Sequence, residues 1–123
     1  MLTVDELVLA TSRAKVFVSG GLIKEATKLK ILICNFTNEF NIEFLPAGSC
    51  LEFRTLDGDY FITESIDLGA DISYKSKKFS IKANHSNLNV KAYLSDKFKL
   101  TMFDLGSGSK LDISRRVKEK NYS

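Results

Sequence analysis

Apolar and polar residues alternate along much of the chain, and this two-residue period is typical of half-buried β-strands. Residues 40–45 form one such run. Two further runs flank Asp57-Gly58, a dipeptide that favours a tight hairpin turn, and a two-residue turn there sets Arg54 opposite Phe61. The same register predicts a core-facing side made of Leu51, Phe53, Tyr60 and Ile62.

The region 71–103 contains three more turn signals, at Ser76-Lys77, at residues 84–87 and at residues 95–97. When the strands are paired across these turns, the apolar residues all fall on one face, although a one-residue slip at any turn would invert it. This agreement predicts a four-stranded antiparallel meander. Its other face contains Ser73, Lys75, Lys78, Ser80, Lys82, Asn89, Lys91, Tyr93, Lys99, Thr101 and Phe103.

The N-terminal part of the chain mixes helical and strand periods. The segment Thr3–Glu6 has the spacing of a helix capping box, and the apolar residues after it predict a short helix over residues 4–13. Residues 15–18 predict a strand, residues 22–29 a second short helix, and residues 29–36 a buried strand. If that last strand lay at a sheet edge, it would offer a pairing site to another chain.

The C-terminal part begins with Gly106-Ser107-Gly108-Ser109, which predicts a flexible break. Beyond it, residues 110–120 predict either a short amphipathic helix or a basic tail. The chain is therefore expected to contain a single α+β domain over residues 1–105, followed by the break and the basic tail over residues 106–123. We expect this domain to be mostly antiparallel β, a meander of hairpins forming a sandwich or a partly open barrel, with one or two short N-terminal helices.

The composition is that of one folded globular domain: 123 residues, of which 44% are hydrophobic and 27% charged. No apolar run approaches the roughly 18 residues of a membrane span, and the acidic N-terminus lacks the basic flank of a signal peptide. We therefore expect a cytoplasmic protein, or a virion or phage component made in the cytoplasm. In that compartment Cys34 and Cys50 are expected to be thiols, with a disulfide as the alternative.

Charge is distributed unevenly along the chain. Residues 1–74 carry a net charge of −5 and residues 75–123 a net charge of +8, which together give +3. Such asymmetry is informative about the partners of a protein and not about its fold. Two copies could contact each other head to tail through unlike surfaces, or the basic half could bind an oppositely charged protein.

The lysine-rich face of the predicted meander and the basic tail form the candidate binding surface. They predict a non-enzymatic binding or assembly protein whose partner is an acidic protein surface or a second copy. Nucleic acid is the alternative partner, because lysines can neutralise phosphates while Tyr93 and Phe103 stack on bases, although the face lacks arginine. The residues expected to contact the partner are Lys75, Lys78, Lys82, Lys91, Tyr93, Lys99, Phe103, Arg115, Arg116 and Lys118.

A small metal-independent enzyme is the third interpretation. His85, the only histidine, would act as a general base in a turn, with Lys82, Ser86 or Tyr93 nearby. An exposed turn histidine accounts for the residue more simply. The acidic stretch 57–67 lacks the ligand spacing of a calcium loop, and the glycine-rich segments lack a phosphate-binding fingerprint. The sequence therefore predicts no catalytic residue, no metal and no cofactor.

Overall fold

The structure is a computed structural model that describes residues 6–9, 15–18, 30–34, 39–67 and 69–116. These residues form eleven β-strands, and the described ranges contain no helix. In chain order the strands are β1 (Glu6–Leu9), β2 (Lys15–Val18), β3 (Lys30–Cys34), β4 (Glu39–Leu45), β5 (Cys50–Arg54), β6 (Tyr60–Ser65), β7 (Ala70–Lys75), β8 (Lys78–Lys82), β9 (Leu88–Leu94), β10 (Lys99–Phe103) and β11 (Lys110–Arg115).

The strands form two sheets, and the chain passes back and forth between them. Sheet A has the order β1-β3-β5-β6-β9-β11, and sheet B has the order β10-β8-β7-β4-β2. Successive strands alternate between the sheets from β1 to β5 and again from β8 to β11. Two hairpins lie in the middle, β5–β6 in sheet A and β7–β8 in sheet B. The arrangement resembles a β-solenoid whose turns each contribute one strand to each sheet.

Both sheets mix parallel and antiparallel pairings, which corrects the prediction of a mostly antiparallel α+β domain. Five of the nine described pairings are parallel, and every antiparallel pairing involves β6 or β7. A strand alternates apolar and polar residues whatever the direction of its neighbour, so the sequence pattern could not distinguish the two arrangements. Parallel neighbours need a crossover connection, and here the intervening strand in the other sheet provides it.

The core lies between the two sheets and is built from the inward-facing residues of both. Six aromatic residues are among those buried there, and ring centroids are 5.1 Å apart for Phe53 and Phe79 and 4.6 Å apart for Phe61 and Phe79. Such close packing of rings and branched side chains excludes water from the interior. The buried apolar residues are Ile31, Ile33, Phe40, Ile42, Leu45, Leu51, Phe53, Phe61, Ala70, Ile72, Tyr74, Phe79, Ile81, Ala83, Leu88, Val90, Ala92, Leu94 and Phe98.

The helix predicted over residues 4–13 is wrong, because this segment contains strand β1. Within β1, Leu7 pairs with Ile31 of β3 and Leu9 pairs with Ile33. Both isoleucines are fully buried, so core positions recur here with a period of two residues. Pairing with a buried neighbouring strand therefore outweighs the local helical signal, which is a weak preference by itself.

Two other predictions for the N-terminal part are confirmed. Strand β2 coincides with the strand predicted at residues 15–18, and β3 lies within the strand predicted at residues 29–36. The second predicted helix, over residues 22–29, lies outside the described residues. The elements rich in β-branched residues were thus predicted correctly, while the capping-box motif was misleading.

Cys34 and Cys50 lie on neighbouring strands but at opposite ends of their pairing. Cys34 pairs with Arg54 of β5, and Cys50 pairs with Lys30 of β3. Four residues of strand, about 13 Å, therefore separate the two cysteines along the sheet, whereas a disulfide needs Cα atoms within about 7 Å. The register is incompatible with a disulfide between these two residues of one copy.

The four-stranded meander predicted over residues 71–103 is correct only at its first turn. Strands β7 and β8 form a hairpin that pairs Ile72 with Ile81, as the turn at Ser76-Lys77 predicts. Strands β8 and β9 lie in different sheets, and so do β9 and β10, so a single antiparallel sheet is wrong. Because the inner faces of both sheets cover the same core, a common apolar face could not reveal these changes of sheet.

The hairpin at Asp57-Gly58 is confirmed, but its strands pair one residue away from the predicted register. Phe53 pairs with Phe61, so the loop is longer than the two residues predicted. The core face of β6 therefore contains Phe61 and Thr63. Asp59 belongs to the loop and not to β6, which accounts for the extra length. Its side chain contacts two distant segments, at Ser95 and at Arg116.

Thr63 is a fully buried polar residue, and its Oγ1 has no hydrogen-bond partner among the described residues. Leaving a hydroxyl buried without a partner costs about 1–3 kcal/mol. We therefore expect Thr63→Val, which keeps the shape of the side chain, to raise the free energy of unfolding by about 1 kcal/mol. Denaturant titration at neutral pH measures this change, and a lower stability of the variant would contradict it.

The segment after β10 is part of the fold. Residues 110–115, for which the sequence left a helix or a basic tail open, form β11 parallel to β9. The turn before β11 is held by the side chain of Asn87. Its Oδ1 accepts a hydrogen bond from the Gly108 amide (2.8 Å), and its Nδ2 donates to the carboxylate of Asp67 (2.8 Å). One side chain therefore links three connecting segments at this edge of the fold.

Candidate functional site

The residues predicted to bind a partner do not lie on one face. Strands β8 and β9 belong to opposite sheets, so their outer sides point away from each other. Lys91 and Tyr93 lie on the outer face of sheet A, and Lys118 lies outside the described residues. Five of the residues predicted to contact a partner lie on the outer face of sheet B: Lys75, Lys78, Lys82, Lys99 and Phe103.

Three of these residues form what we call the lysine row: Lys75, Lys78 and Lys99. Lys75 of β7 pairs with Lys78 of β8, which pairs in turn with Lys99 of β10. All three are exposed, and neighbouring strands are about 4.8 Å apart, so three positive charges lie side by side. Glu39 of β4 pairs with Lys75 on its other side, so one carboxylate lies at that end of the row. Like charges in directly opposite positions destabilise a sheet, and an anion bound across the row would relieve their repulsion.

The turn between β7 and β8 holds the lysine row in place. Its two residues, Ser76 and Lys77, have φ angles of 50° and 61°, the left-handed pair that closes a tight hairpin and fixes its register. The amide of Lys99 then donates a hydrogen bond to the carbonyl of Lys77 (2.9 Å). This bond fixes the start of β10 beside the hairpin, so the third lysine lies next to the first two.

Positive charge is concentrated at this end of the sheet B surface. Next along β8 and β10 come Ser80 and Thr101, whose hydroxyl oxygens are 3.5 Å apart. Lys82 and Phe103 pair with each other at the far end of the same two strands. Four residues of strand, about 13 Å, separate Lys82 from Lys78. The lysine row is therefore a compact charged site and not part of a uniform basic face.

The outer face of sheet A contains an aromatic strip that the sequence did not predict. The guanidinium of Arg54 lies 5.7 Å from the centroid of the Tyr60 ring, and the Tyr60 and Tyr93 rings lie 5.9 Å apart. The one-residue change of register in the β5–β6 hairpin explains this contact, because it sets Tyr60 beside Arg54 where Phe61 was expected. The strip faces away from the lysine row, on the opposite side of the core.

Two predicted tail residues make contacts inside the fold. Nη1 of Arg115 donates hydrogen bonds to the carbonyl oxygens of Ser95 (3.2 Å) and Phe98 (2.6 Å). Nε and Nη2 of Arg116 donate to the two carboxylate oxygens of Asp59, at 3.0 and 3.1 Å. Both arginines therefore connect the end of β11 to neighbouring loops through hydrogen bonds. No local pattern signals these contacts, because the partners lie 17 to 57 residues away along the chain.

Asp59 is the buried charged residue at the centre of these contacts. Its side chain has no exposed surface, and its Oδ1 also accepts a hydrogen bond from the Ser95 amide (2.8 Å). Burial raises the pKa of Asp59. The hydrogen bonds from Arg116 and Ser95 and the charges of Arg116 and Lys97 lower it by more, so the pKa lies below its ordinary value of 3.8. The carboxylate is therefore ionised at neutral pH and its charge is balanced by Arg116.

His85, the candidate general base, is exposed in the connection between β8 and β9. It adopts a left-handed backbone conformation with φ of 65°, and its amide donates to the carbonyl of Asp104 (2.8 Å). Of the partners considered for it, Ser86 is buried, and Tyr93 lies near the far end of β9. Tyr93 is therefore too distant along β9 to act together with His85 in acid–base catalysis, which requires groups within hydrogen-bond reach.

Neither a metal centre nor a membrane-spanning helix is found in the described part of the chain. No three His, Cys, Asp or Glu side chains within it are close enough to share a metal ion, and it contains no apolar helix of membrane-spanning length. Comparison of the chain with protein families, with curated proteins and with solved structures finds no match. Function must therefore be argued from the surface of this fold.

Proposed function

We propose that this protein is a non-enzymatic binding protein whose lysine row binds an acidic surface of a partner protein. The observation that carries the proposal is the direct pairing of Lys75 with Lys78 and of Lys78 with Lys99 across three strands. Glu39 offsets the charge of Lys75 from one side, whereas Lys78 lies directly between two lysines, and like charges in cross-strand positions repel each other. An acidic partner surface attracts these lysines, which raises the rate and the specificity of association.

The rigidity of the row supports this role. Its three residues lie on hydrogen-bonded strands and beside a tight turn, so their backbones are ordered before a partner arrives. Only the lysine side chains need to lose freedom on binding, which reduces the entropic cost of association. The three charges lie on the outer face of one sheet across three strands, and an extended acidic surface can meet all three at once.

The separation of charge from aromatic residues favours a protein over nucleic acid. Binding to exposed bases combines cationic side chains with aromatic rings on one surface. Here Tyr93 lies on the other sheet, and Phe103 lies at the far end of β10 from Lys99. The two arginines that would contact phosphates, Arg115 and Arg116, contact loops of the protein itself.

A defined acidic probe tests the proposal. A fluorescently labelled polyglutamate peptide is titrated with the wild type and with Lys75→Gln/Lys78→Gln/Lys99→Gln, and binding is followed by anisotropy. The triple variant is expected to bind at least about tenfold more weakly, with a smaller dependence on salt, because the row supplies the charge that the peptide meets. The matched control is Lys82→Gln/Lys91→Gln/Lys110→Gln, which removes three exposed lysines elsewhere and leaves the same net charge.

Three results would reject the proposal. The first is that the wild type fails to bind the peptide. The second is that both triple variants bind equally weakly, which would mean that only the net charge of the protein matters. Alternatively, a mixed-sequence single-stranded oligonucleotide would bind more tightly than the peptide and depend on the lysine row. That outcome would replace the acidic protein with nucleic acid.

A further inference from the structure

Among the described residues, the stack of strands has two ends at which no further strand is paired. Sheet A begins with β1 and ends with β11, while sheet B begins with β2 and ends with β10. The connection from β10 to β11, residues 104–109, joins the last strands of the two sheets at one end. No described strand pairs with the outer edge of β1, β2, β10 or β11. Each such edge presents backbone amide and carbonyl groups that can pair with a further strand.

The strands at the two ends run in the same direction. In sheet A, β1, β3 and β5 are parallel, β6 reverses the direction, and β9 and β11 restore it. In sheet B, β2 and β4 are parallel, β7 runs against them, and β8 and β10 run with them. If a second copy lies next along the stack, its first strands therefore run parallel to the last strands of the first copy. Parallel pairing of this kind already joins β9 to β11 and β8 to β10.

The end formed by β10 and β11 leaves core residues incompletely covered. Leu100, Met102, Leu105 and Ile113 pack against the core but are only partly buried. Leu111 pairs with the buried Val90, which sets it on the inner side of β11, yet 47% of its surface is exposed. An apolar layer left uncovered at an edge is typical of a surface that another protein covers.

The other end offers apolar residues at matching positions. Leu7 and Leu9 of β1 pair with the buried Ile31 and Ile33, and Val16 and Val18 of β2 pair with buried residues of β4. The first strand of each sheet thus has apolar residues at the positions that pair with buried core residues. The two ends differ from each other, so contact between them would be head to tail.

We infer that copies of this chain stack head to tail, with β11 and β10 of one copy pairing in parallel with β1 and β2 of the next. The register that continues the existing rows of sheet A sets Leu111 opposite Leu7 and Ile113 opposite Leu9. The same register sets Lys110 opposite Glu6, which is an attractive pair. In sheet B it brings Lys99 next to Lys15, and this single like-charge contact works against the apolar and backbone contacts.

Head-to-tail contact has a distinctive consequence for size. Every copy added to the stack presents a new open end, so growth stops only where a ring closes. The contact uses the ends of both sheets, whereas the acidic partner is proposed to bind the outer face of sheet B. Failure of one proposal therefore leaves the other standing.

The first test measures mass by light scattering and sedimentation over a wide concentration series. The wild type is expected to increase in mass beyond a dimer as its concentration rises. Leu111→Lys, which places a charge at the exposed end of the stack, is expected to lower the association constant at least about tenfold. Leu56→Lys, at a turn residue that is 81% exposed and away from both ends, is the matched control and should associate like the wild type. Circular dichroism confirms that each variant is folded.

The second test exchanges charges between the two ends. Lys110→Glu and Glu6→Lys each set like charges opposite each other in the proposed register, so each variant alone is expected to associate more weakly than the wild type. When the two variants are mixed, every end meets an oppositely charged one, and association should return to about the wild-type level.

A monomer at every concentration would overturn the inference, and so would an assembly that stops at a dimer, since a dimer implies like ends in contact. Failure of the mixed variants to regain association, while the wild type assembles, would reject the pairing of β11 with β1.

Discussion

Replacing Asp59 with alanine is expected to lower the free energy of unfolding by about 3 kcal/mol at neutral pH. The substitution removes a fully buried carboxylate that accepts two hydrogen bonds from Arg116 and two from Ser95. It leaves the Arg116 guanidinium, which is 32% exposed, without its partner, and it takes the acceptor from the amide and hydroxyl of Ser95, so it costs more than the loss of an exposed pair. Chemical denaturation at neutral pH measures the difference.

The same comparison in acid tests the ionic origin of the effect. The pKa of Asp59 is lowered in the folded protein, so its contribution to stability is present above the unfolded pKa and is lost as pH falls through the folded pKa. The stability gap between the wild type and Asp59→Ala should therefore narrow below about pH 4. A gap that stays constant with pH would mean that packing, and not the charge, accounts for the loss.

Asp57→Ala provides the matched control in the same loop. Asp57 also has an ion-pair partner, Lys97 at 3.4 Å, but the two side chains are 63% and 41% exposed. An exposed pair contributes at most about 1 kcal/mol, so this variant should be nearly as stable as the wild type. Equal losses for Asp57→Ala and Asp59→Ala would contradict the importance of burial.

Gly106→Ala is expected to destabilise the fold by about 2–3 kcal/mol through overpacking. A Cβ atom at this position would overlap Oδ1 of Asn87 and would lie 2.7 Å from the carbonyl oxygen of His85. The His85 oxygen belongs to the backbone, and Asn87 is held by its hydrogen bonds to Asp67 and Gly108, so neither group can move at low cost. Thermal and denaturant unfolding of the variant measure the loss.

Gly108→Ala is the graded control for this prediction. Its added Cβ would lie 3.1 Å from Oδ1 of Asn87 and would meet no backbone atom within the same distance. This contact is close by only a few tenths of an ångström and involves no backbone atom, so the loss should be clearly smaller than for Gly106→Ala. The reverse order of stability would show that the stacked turns around Asn87 are looser than their geometry indicates.

The sequence predicted strands far better than it predicted their arrangement. A two-residue period identifies a face to be buried, as for the pairing of Ile72 with Ile81, but it does not state which sheet buries it. The change of sheet between β8 and β9 occurs at Asn84 and His85, whose positive φ values would suit a hairpin turn equally well. Parallel neighbours such as β9 and β11 are separated by a strand of the other sheet, so no local turn marks their pairing.

The candidate site was predicted residue by residue but not as an arrangement. Lys75, Lys78 and Lys99 were expected on an exposed face, and their exposure follows from the alternating pattern. Their concentration into one row depends on the parallel pairing of β8 with β10, which the sequence does not encode locally. The contact of Arg116 with Asp59 was not predicted, because long-range ion pairs have no signature in the spacing of charges.

The two central hairpins also set the order in which the protein can form. Strands β5 and β6, and strands β7 and β8, are neighbours in sequence, so each pair closes only a short loop. The parallel pairs further out, such as β9 with β11, cannot form until the strand between them has docked on the opposite sheet. Folding should therefore spread outward from the middle, and backbone amides should exchange with solvent most slowly there and fastest at the two ends. The parts of the molecule that fold last would then be the parts to which the next copy is added.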